Sequence, residues 1–411
     1  MSGASELFPM RWPPSWRDPA LLRLIERTPI NALLLPPDPS LAAVRGAALE
    51  RGLACREVTT SGEASPGQLR IVPRSQLDWS DGDAIVAAGE CVWPRVAAES
   101  AAEAGPTGVP WVDSNGWFAQ LARTMLPGRQ IWLFFDPPTD TALRPESYSL
   151  AVADSEAFGA RWAIALDKDG QQRPERAVSI LRAISSALDF FERHQCWRSL
   201  PVRAALGVLS DYAGEHRHVA EEILNLLARR HVPFRVLDKR APARLRLQGL
   251  KALIYPDPDP PPQALKRRLL AFVHEGGLLI AGPEWRAPTG TSGSEDVHRR
   301  FQVFFTGKGR IAIAREPFTD PYLAALDAHL LLGRRHDPIR LWNGGSLNAH
   351  YLADADGKGA VVQLVNYSTR RAAHPVTLGV SAGFRRALFW QLGADRPSPL
   401  EILPAPQGIE V

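Results

Sequence analysis

Short apolar runs alternate with helical patterns from Ile30 to about Asp167, and that alternation constrains the chain more than any single motif. Candidate strands fall at Asn31–Leu35, Cys55–Val58, Leu69–Val72, Ala84–Ala88, Val109–Val112, Ile131–Phe135 and Trp162–Leu166. Helical patterns at Leu41–Arg51, Trp93–Ala104, Trp117–Met125 and Ser147–Phe158 lie between several of them. Parallel strands need a crossover between them, usually a helix. The alternation therefore implies βαβ units and a parallel sheet. The seven candidate strands predict a TIM-like (β/α) barrel, shortened or degenerate by one or two units. An amphipathic helix, Glu175–His194, closes the segment, with Val178, Leu181, Ile184, Leu188 and Phe191 at three- and four-residue spacing.

A second α/β block begins at Val202. Ala205–Leu209 reads as a strand, Val219–Arg230 as a helix, and Phe234–Leu237 and Ala252–Tyr255 as further strands. The proline-rich loop Pro256–Pro262 leads into a helix, Gln263–Glu275, capped by Gly276 and Gly277 before a buried strand, Leu278–Ala281. This order predicts a flavodoxin-like doubly wound domain, with Arg310–Ala314 as an edge strand. After a helix around Tyr322–Leu332 the period changes to two. Ile339–Trp342, Asn348–Leu352, Ala360–Asn366, Val376–Val380 and Ala387–Gln391 read as strands of a small C-terminal antiparallel β-sandwich. The expected domains are residues 1–200, 201–332 and 333–411.

Composition excludes several classes of protein. With 45% apolar and 22% charged residues the chain is neither disordered, collagenous nor coiled coil. Its net charge is only +4, and 42 Arg against six Lys are scattered rather than striped, so no nucleic-acid partner is expected. Cys55, Cys91 and Cys196 lie far apart and form no CxxC, which suits reduced thiols in a cytoplasmic protein. No uncharged apolar run approaches the roughly 20 residues of a membrane span. The first residues, broken by Pro9, Pro13 and Pro14, lack a secretory apolar core. No cofactor or metal is expected. Gly276-Gly277 and Gly344-Gly345 read as caps and turns, and His216 and His218 beside Asp211 and Glu215 match no metal signature and read as a solvated loop. With no Cys beyond Trp197, amidotransferase chemistry is excluded from the doubly wound block.

The residues carry a resemblance as well as an order. Leu206-Gly-Val-Leu-Ser-Asp-Tyr and Glu222-Ile-Leu-Asn-Leu-Leu-Ala-Arg-Arg-His-Val-Pro-Phe resemble the trimerisation domain of the family-42 β-galactosidases. Lys251-Ala-Leu-Ile-Tyr-Pro-Asp, Gly276-Gly-Leu-Leu-Ile and Gly307-Lys-Gly-Arg-Ile resemble its later strands. In the barrel, Gln130-Ile-Trp-Leu-Phe-Phe-Asp-Pro-Pro resembles the strand bearing that family's nucleophile. Tyr148-Ser-Leu-Ala-Val-Ala-Asp with Phe158-Gly-Ala-Arg-Trp resembles the helix and strand after it. The resemblance covers about two-thirds of the chain and implies a glycoside hydrolase architecture, a carbohydrate or glycoside ligand and a homo-oligomer, trimer or dimer. The chain departs from it at both catalytic positions. Phe135 stands where the nucleophilic Glu belongs, with Asp136 one residue later, and the Asn-Glu acid/base pair is replaced by Glu90 in Ala88-Gly-Glu-Cys-Val-Trp.

Catalytic groups of such barrels sit at the C-terminal ends of the strands. Glycoside cleavage needs two carboxyl groups flanking the bond. Glu90 as acid/base and Asp136 as nucleophile is the pairing these criteria select. Polar residues at strand ends also cap the next helix, which is the competing explanation. Asp113, Asn115 and Trp117, in the dense cluster Asp113-Ser-Asn-Gly-Trp, are candidate sugar contacts, and Trp93 and Asp167 join them. Asp113 or Asn115 can equally cap the helix from Trp117. Nine of the twelve Trp precede residue 200, including Trp12, Trp16, Trp111 and Trp132; each is a sugar platform or a core filler. Two functions follow: a hydrolase of a small oligosaccharide or glycoside, or a pseudo-glycosidase that has kept the architecture for carbohydrate binding or assembly.

Overall fold

The computed structural model describes residues 6–60, 68–80, 83–96, 111–286, 292–368 and 375–411. Its first part runs β1 (Pro9–Arg11), β2 (Ala32–Leu35), α1 (Ala42–Glu50), β3 (Ala54–Thr59), β4 (Gln68–Pro73), β5 (Ile85–Gly89), β6 (Arg95–Val96) and β7 (Val112–Asp113). It continues through α2 (Gly116–Met125), β8 (Gln130–Leu133), α3 (Pro145–Glu156), β9 (Arg161–Trp162), α4 (Lys168–Gln172) and α5 (Pro174–Arg193). Seven parallel strands stand in the order β1-β2-β3-β4-β5-β8-β9. The ring closes just beyond β9: Met10 pairs with Ile164, Arg11 N donates to Ile164 O at 2.8 Å, and Ile164 N donates to Pro9 O at 3.0 Å.

The strand count is therefore as the pattern implies, but one member differs. Val109–Val112 was expected in the barrel; instead Val112–Asp113 pairs antiparallel with Arg95–Val96, apart from the ring, and residues 109 and 110 lie outside the described residues. The seventh strand is β1. The helix expected at Trp93–Ala104 is likewise replaced at its start by β6, and its remainder, 97–104, is outside the described residues.

The two faces of the strands fill separate cores. Leu34, Leu69, Ile85, Ala87, Trp132, Phe134 and Ala163 form a cluster containing no helix residue, which is the barrel interior. Leu33, Leu35, Val86, Ala88, Ile131, Leu133 and Ile164 pack outward against α1, α2, α3 and α5. A run such as Ala32–Leu35, buried at every position, is what a parallel strand covered on both faces requires. Trp132 is wholly buried, so the interior is packed rather than hollow.

The second part contains β10 (Leu206–Ser210), α6 (Arg217–Arg229), β11 (Phe234–Asp238), β12 (Ala252–Tyr255), α7 (Gln263–His274), β13 (Leu278–Ala281), β14 (Ser292–His298), β15 (Phe301–Thr306), β16 (Gly309–Ala314) and α8 (Pro321–Leu332). Its sheet is ordered β11-β10-β12-β13-β16-β15-β14, with the first five strands parallel. This is the 2-1-3-4-5 order of a doubly wound fold. The strand expected at Arg310–Ala314 is interior rather than an edge, because the antiparallel hairpin β14–β15 extends the sheet beyond it.

The remainder is antiparallel: β17 (Ile339–Trp342), β18 (Leu347–Ala353), β19 (Ala360–Asn366), β20 (Thr377–Val380), β21 (Ala387–Phe389), β22 (Ser398–Leu400), β23 (Leu403–Ala405) and β24 (Gly408–Glu410). The sheet β17-β20-β24-β23 packs on the hairpin β18–β19 through Ile339, Tyr351, Val380 and Ile409. That hairpin also reaches the other parts of the molecule. Val202 bridges to Leu352, Asn348 Nδ2 donates to Ser114 Oγ at 3.0 Å, and the His350 ring bonds Ala157 O at 2.8 Å. No helix among the described residues is long and apolar enough to cross a membrane.

Candidate functional site

The barrel mouth is built by the ends of β1, β5, β8 and β9. Phe135 faces out of the barrel, as the alternation of a strand demands after inward Phe134. It stacks on Trp162 at 5.3 Å between ring centres, and Trp93 meets both edge-on at 5.9 and 5.6 Å. Tyr148 from α3 completes this buried aromatic cluster, 5.6 Å from Trp93. Trp93 is thus a core residue under α3 rather than a surface platform.

Asp136, one step further, turns to the mouth. Its Oδ1 lies 2.7 Å from Arg11 Nη1, and the carboxylate side chain is 78% exposed. Arg11 Nη2 also donates to Phe135 O at 2.6 Å and Nε to Ala163 O at 3.3 Å, and the guanidinium lies over the inward Phe134 ring at 5.8 Å. Burial lowers the Arg11 pKa, and Asp136 opposes the shift. Arg11 therefore caps the barrel axis and ties the ends of β1, β8 and the β9 extension together. Nothing local in the sequence signals this pairing, since the partners lie in different strands.

Glu90 follows β5 directly. It is exposed, makes no hydrogen bond or ion pair among the described residues, and has φ of 56°. A positive φ is costly for a residue with a Cβ and is found where surroundings enforce it. Here β5 and β8 are hydrogen-bonded neighbours with Ala88 opposite Leu133, and Cys91 N donates to Phe134 O at 3.2 Å. Glu90 and Asp136 therefore leave adjacent strands, about 4.8 Å apart, on one arc of the rim.

The remaining candidates are held by internal contacts. Asn115 is fully buried: its Oδ1 accepts from Val92 N at 3.0 Å, and its Nδ2 donates to Val92 O at 2.8 Å and to Asp154 Oδ2 at 2.7 Å. Although it occupies the N-cap position of α2, its side chain makes no capping bond. Asp113 pairs with Arg95 at 3.5 Å across β6 and β7. Trp117 is buried with the Arg74 guanidinium over its ring at 5.4 Å. Asp167 caps α4, accepting from Gly170 N at 2.7 Å, and lies 3.5 Å from Arg176. Trp12, Trp16 and Trp132 are buried as well.

Asp154 is the polar residue at the centre of this region that sequence reading overlooked. Wholly buried, it accepts from Asn115 N, Asn115 Nδ2 and the Tyr367 hydroxyl. Burial pushes its pKa up to about 6 against the opposing pull of those donors. Its sequence signal is weak: it stands with Ser155 and Glu156 in a polar run at the end of α3, and only the fold shows that all three are buried.

A second polar cluster sits at the C-terminal ends of β10 and β12, where the doubly wound strand order reverses and ligands of such folds bind. One ligand atom each from Asp211, His216 and Asp257 lie within 4.8 Å of one another. His216, expected in a solvated loop, lies against both carboxylates, 2.9 Å from Asp211 and 3.4 Å from Asp257. The Lys239 ammonium lies 2.8 Å from Asp211 Oδ2 and 2.6 Å from Asp257 Oδ2, so it already fills the cation position between them. Burial disfavours charge on Asp211, but bonds from Lys239 and His216 outweigh it and lower its pKa.

No protein-family profile and no curated protein matches the chain. Solved structures do match. Over 96% of this chain and 78% of the other, the fold superposes on α-L-fucosidase isoenzyme 2 from Paenibacillus thiaminolyticus, with a TM-score of 0.51 and 12% identity. The chain shares the fold of that fucosidase. A cold-adapted β-galactosidase from Rahnella sp. R3 matches over 90% of this chain at 13% identity and a TM-score of 0.47. Gan42B, a GH42 β-galactosidase of G. stearothermophilus, matches over 90% at 11% and 0.48. The chain spans 65% and 64% of the lengths of these two galactosidases.

Proposed function

We propose that this protein is a pseudo-glycosidase: a glycoside hydrolase architecture that binds a carbohydrate or glycoside at the barrel rim without cleaving it. One observation carries the reading. Its two candidate carboxylates, Glu90 and Asp136, leave neighbouring strands β5 and β8, and Asp136 is paired with Arg11. Glycoside cleavage needs both an acid and a base or nucleophile flanking the scissile bond, and here Asp136 is already engaged by Arg11. Phe135 at the nucleophile position adds support, because it is spent in the aromatic cluster with Trp93, Trp162 and Tyr148. Arg11, Asp136 and Glu90 still offer donors and acceptors to sugar hydroxyls.

A second reading, hydrolysis, draws on Glu90. It is held at φ 56° at a strand end with a free carboxyl, and backbone strain of that kind clusters at active sites. Rates on a panel of 4-nitrophenyl glycosides separate the two. Wild-type rates equal to those of E90Q and D136N support the pseudo-glycosidase. Turnover that either substitution abolishes overturns it and assigns catalysis to that carboxylate.

A further inference from the structure

A cleft of about 330 Å³ lies away from the barrel mouth, where α2, the segment joining the barrel to the doubly wound part, β11 and β18 meet. Its volume lies at the lower end of the range of small-molecule sites. The walls carry three arginines: Arg123 from α2, Arg198 from the joining segment and Arg235 from β11. Arg198 is matched by Glu6, Glu156 and Glu192. The other two are not. Among the described residues Arg123 donates only to the carbonyls of Phe158 and Arg198, at 3.4 and 3.3 Å, and Arg235 Nη2 donates to that of Gln248 at 2.9 Å. Neither has a carboxylate partner among the described residues, and Arg235 Nε is buried without a hydrogen bond. Burial and a neighbouring cation lower both pKa values, Arg198 acting on Arg123 and Arg203 on Arg235. Unpaired guanidiniums facing one cleft favour an anion there, most strongly one that accepts two N–H bonds at once.

His350 lines the same cleft from β18 and adds a second requirement. Its Nδ1 bonds the carbonyl of Ala157 at 2.8 Å, so Nδ1 carries the proton and Nε2 is left as an acceptor. That Nε2 is buried with no hydrogen-bond partner among the described residues. Burial pushes the ring pKa down to about 4, which keeps it neutral and accepting at pH 7. An unsatisfied buried acceptor is costly unless something donates to it.

We propose that this cleft binds a small hydroxylated oxyanion, its phosphate or carboxylate group against Arg123 and Arg235 and a hydroxyl donating to Nε2 of His350. Gln120, Thr124 and Ser199 on the rim supply further polar contacts for a hydroxylated skeleton. The site is independent of the barrel rim, so its occupant need not be the carbohydrate proposed there.

Calorimetric titration of the full chain at low salt tests this with glucose 6-phosphate, citrate, inorganic phosphate and neutral glucose. Glucose 6-phosphate or citrate is expected to bind saturably and glucose not at all; which of the two binds separates phosphate from carboxylate. R123Q and R235Q should each weaken that binding by about tenfold or more, the usual effect of losing a charge-assisted hydrogen bond. Both arginines are partly solvent-exposed, and each variant is read separately, so a folding loss in one leaves the other decisive. H350Q should weaken the hydroxylated anion more than inorganic phosphate. No saturable binding of any of the three anions up to about 10 mM, or affinity unchanged in R123Q and R235Q, overturns the proposal.

Discussion

Asp154 gives the most direct test of how the barrel and the C-terminal strands are joined. Its carboxyl is wholly buried and its pKa rises from 3.8 to about 6. The folded protein therefore holds this proton to a higher pH than the unfolded chain. Between about pH 4 and pH 6 the native state binds more protons, so raising the pH through that window costs stability. A shift of about two units corresponds to about 3 kcal/mol, complete above pH 7. Asp154→Asn removes the titration while nearly preserving shape. Urea denaturation followed by tryptophan fluorescence, on wild type and D154N from pH 4 to pH 7.5, isolates the effect because all other titrating groups are shared. Stability of the wild type relative to D154N should fall by about 2.5 kcal/mol across that range, because the unfolded chain is already partly ionised at pH 4. A difference constant within about 0.5 kcal/mol would refute the reasoning. It would mean that Asn115 and Tyr367 solvate the ionised carboxylate as well as water does.

Other expectations follow from the same contacts. D136N, at an exposed ion pair, should cost less than about 1 kcal/mol in denaturant unfolding. R11M removes bonds to two strand-end carbonyls as well and should cost more than D136N in the same assay. K239M leaves Asp257 buried without its cation and should destabilise by about 3–5 kcal/mol; much of that loss should return in K239M/D257N. Trp132→Ala opens a cavity in the barrel interior and should cost about 3–5 kcal/mol, read as a lower urea midpoint with unchanged slope.

Much of the framework is legible because parallel strands covered on both faces read as unbroken apolar runs. Ala32–Leu35, Ile85–Gly89, Ala252–Tyr255 and Leu278–Ala281 are all of this kind. β1 is not. Pro-Met-Arg has no strand pattern of its own, and its conformation comes from β2 on one side and Ile164 on the other, partners distant in sequence. The apolar run at Val109–Val112 shows the converse, since composition alone does not say which sheet a strand joins. The hairpin strand β14, Ser-Gly-Ser-Glu-Asp-Val-His, carries no apolar alternation at all, and without it Gly309–Ala314 looks like an edge. At the candidate site, strand-end position located Glu90 and Asp136, but the Arg11 pairing and the adjacency of β5 and β8 are tertiary facts. Asn115 is polar within a polar cluster, so only the structure distinguishes a residue facing a ligand from one clamping Val92 to Asp154.

The hairpin β18–β19 has a consequence for how the molecule comes apart. Its strands contact Ser114, Ala157, Val202 and His231, so one hairpin of the C-terminal part is fastened to both preceding parts. Heating should then release the three parts in one transition rather than as a staircase. A protease that nicks the connection near Gly333 should yield two fragments that stay together until denaturant is added. A segment so fastened is a poor cassette for recombination, because moving it into another protein would strip Ala157 and Asn348 of their partners and leave their polar groups bare.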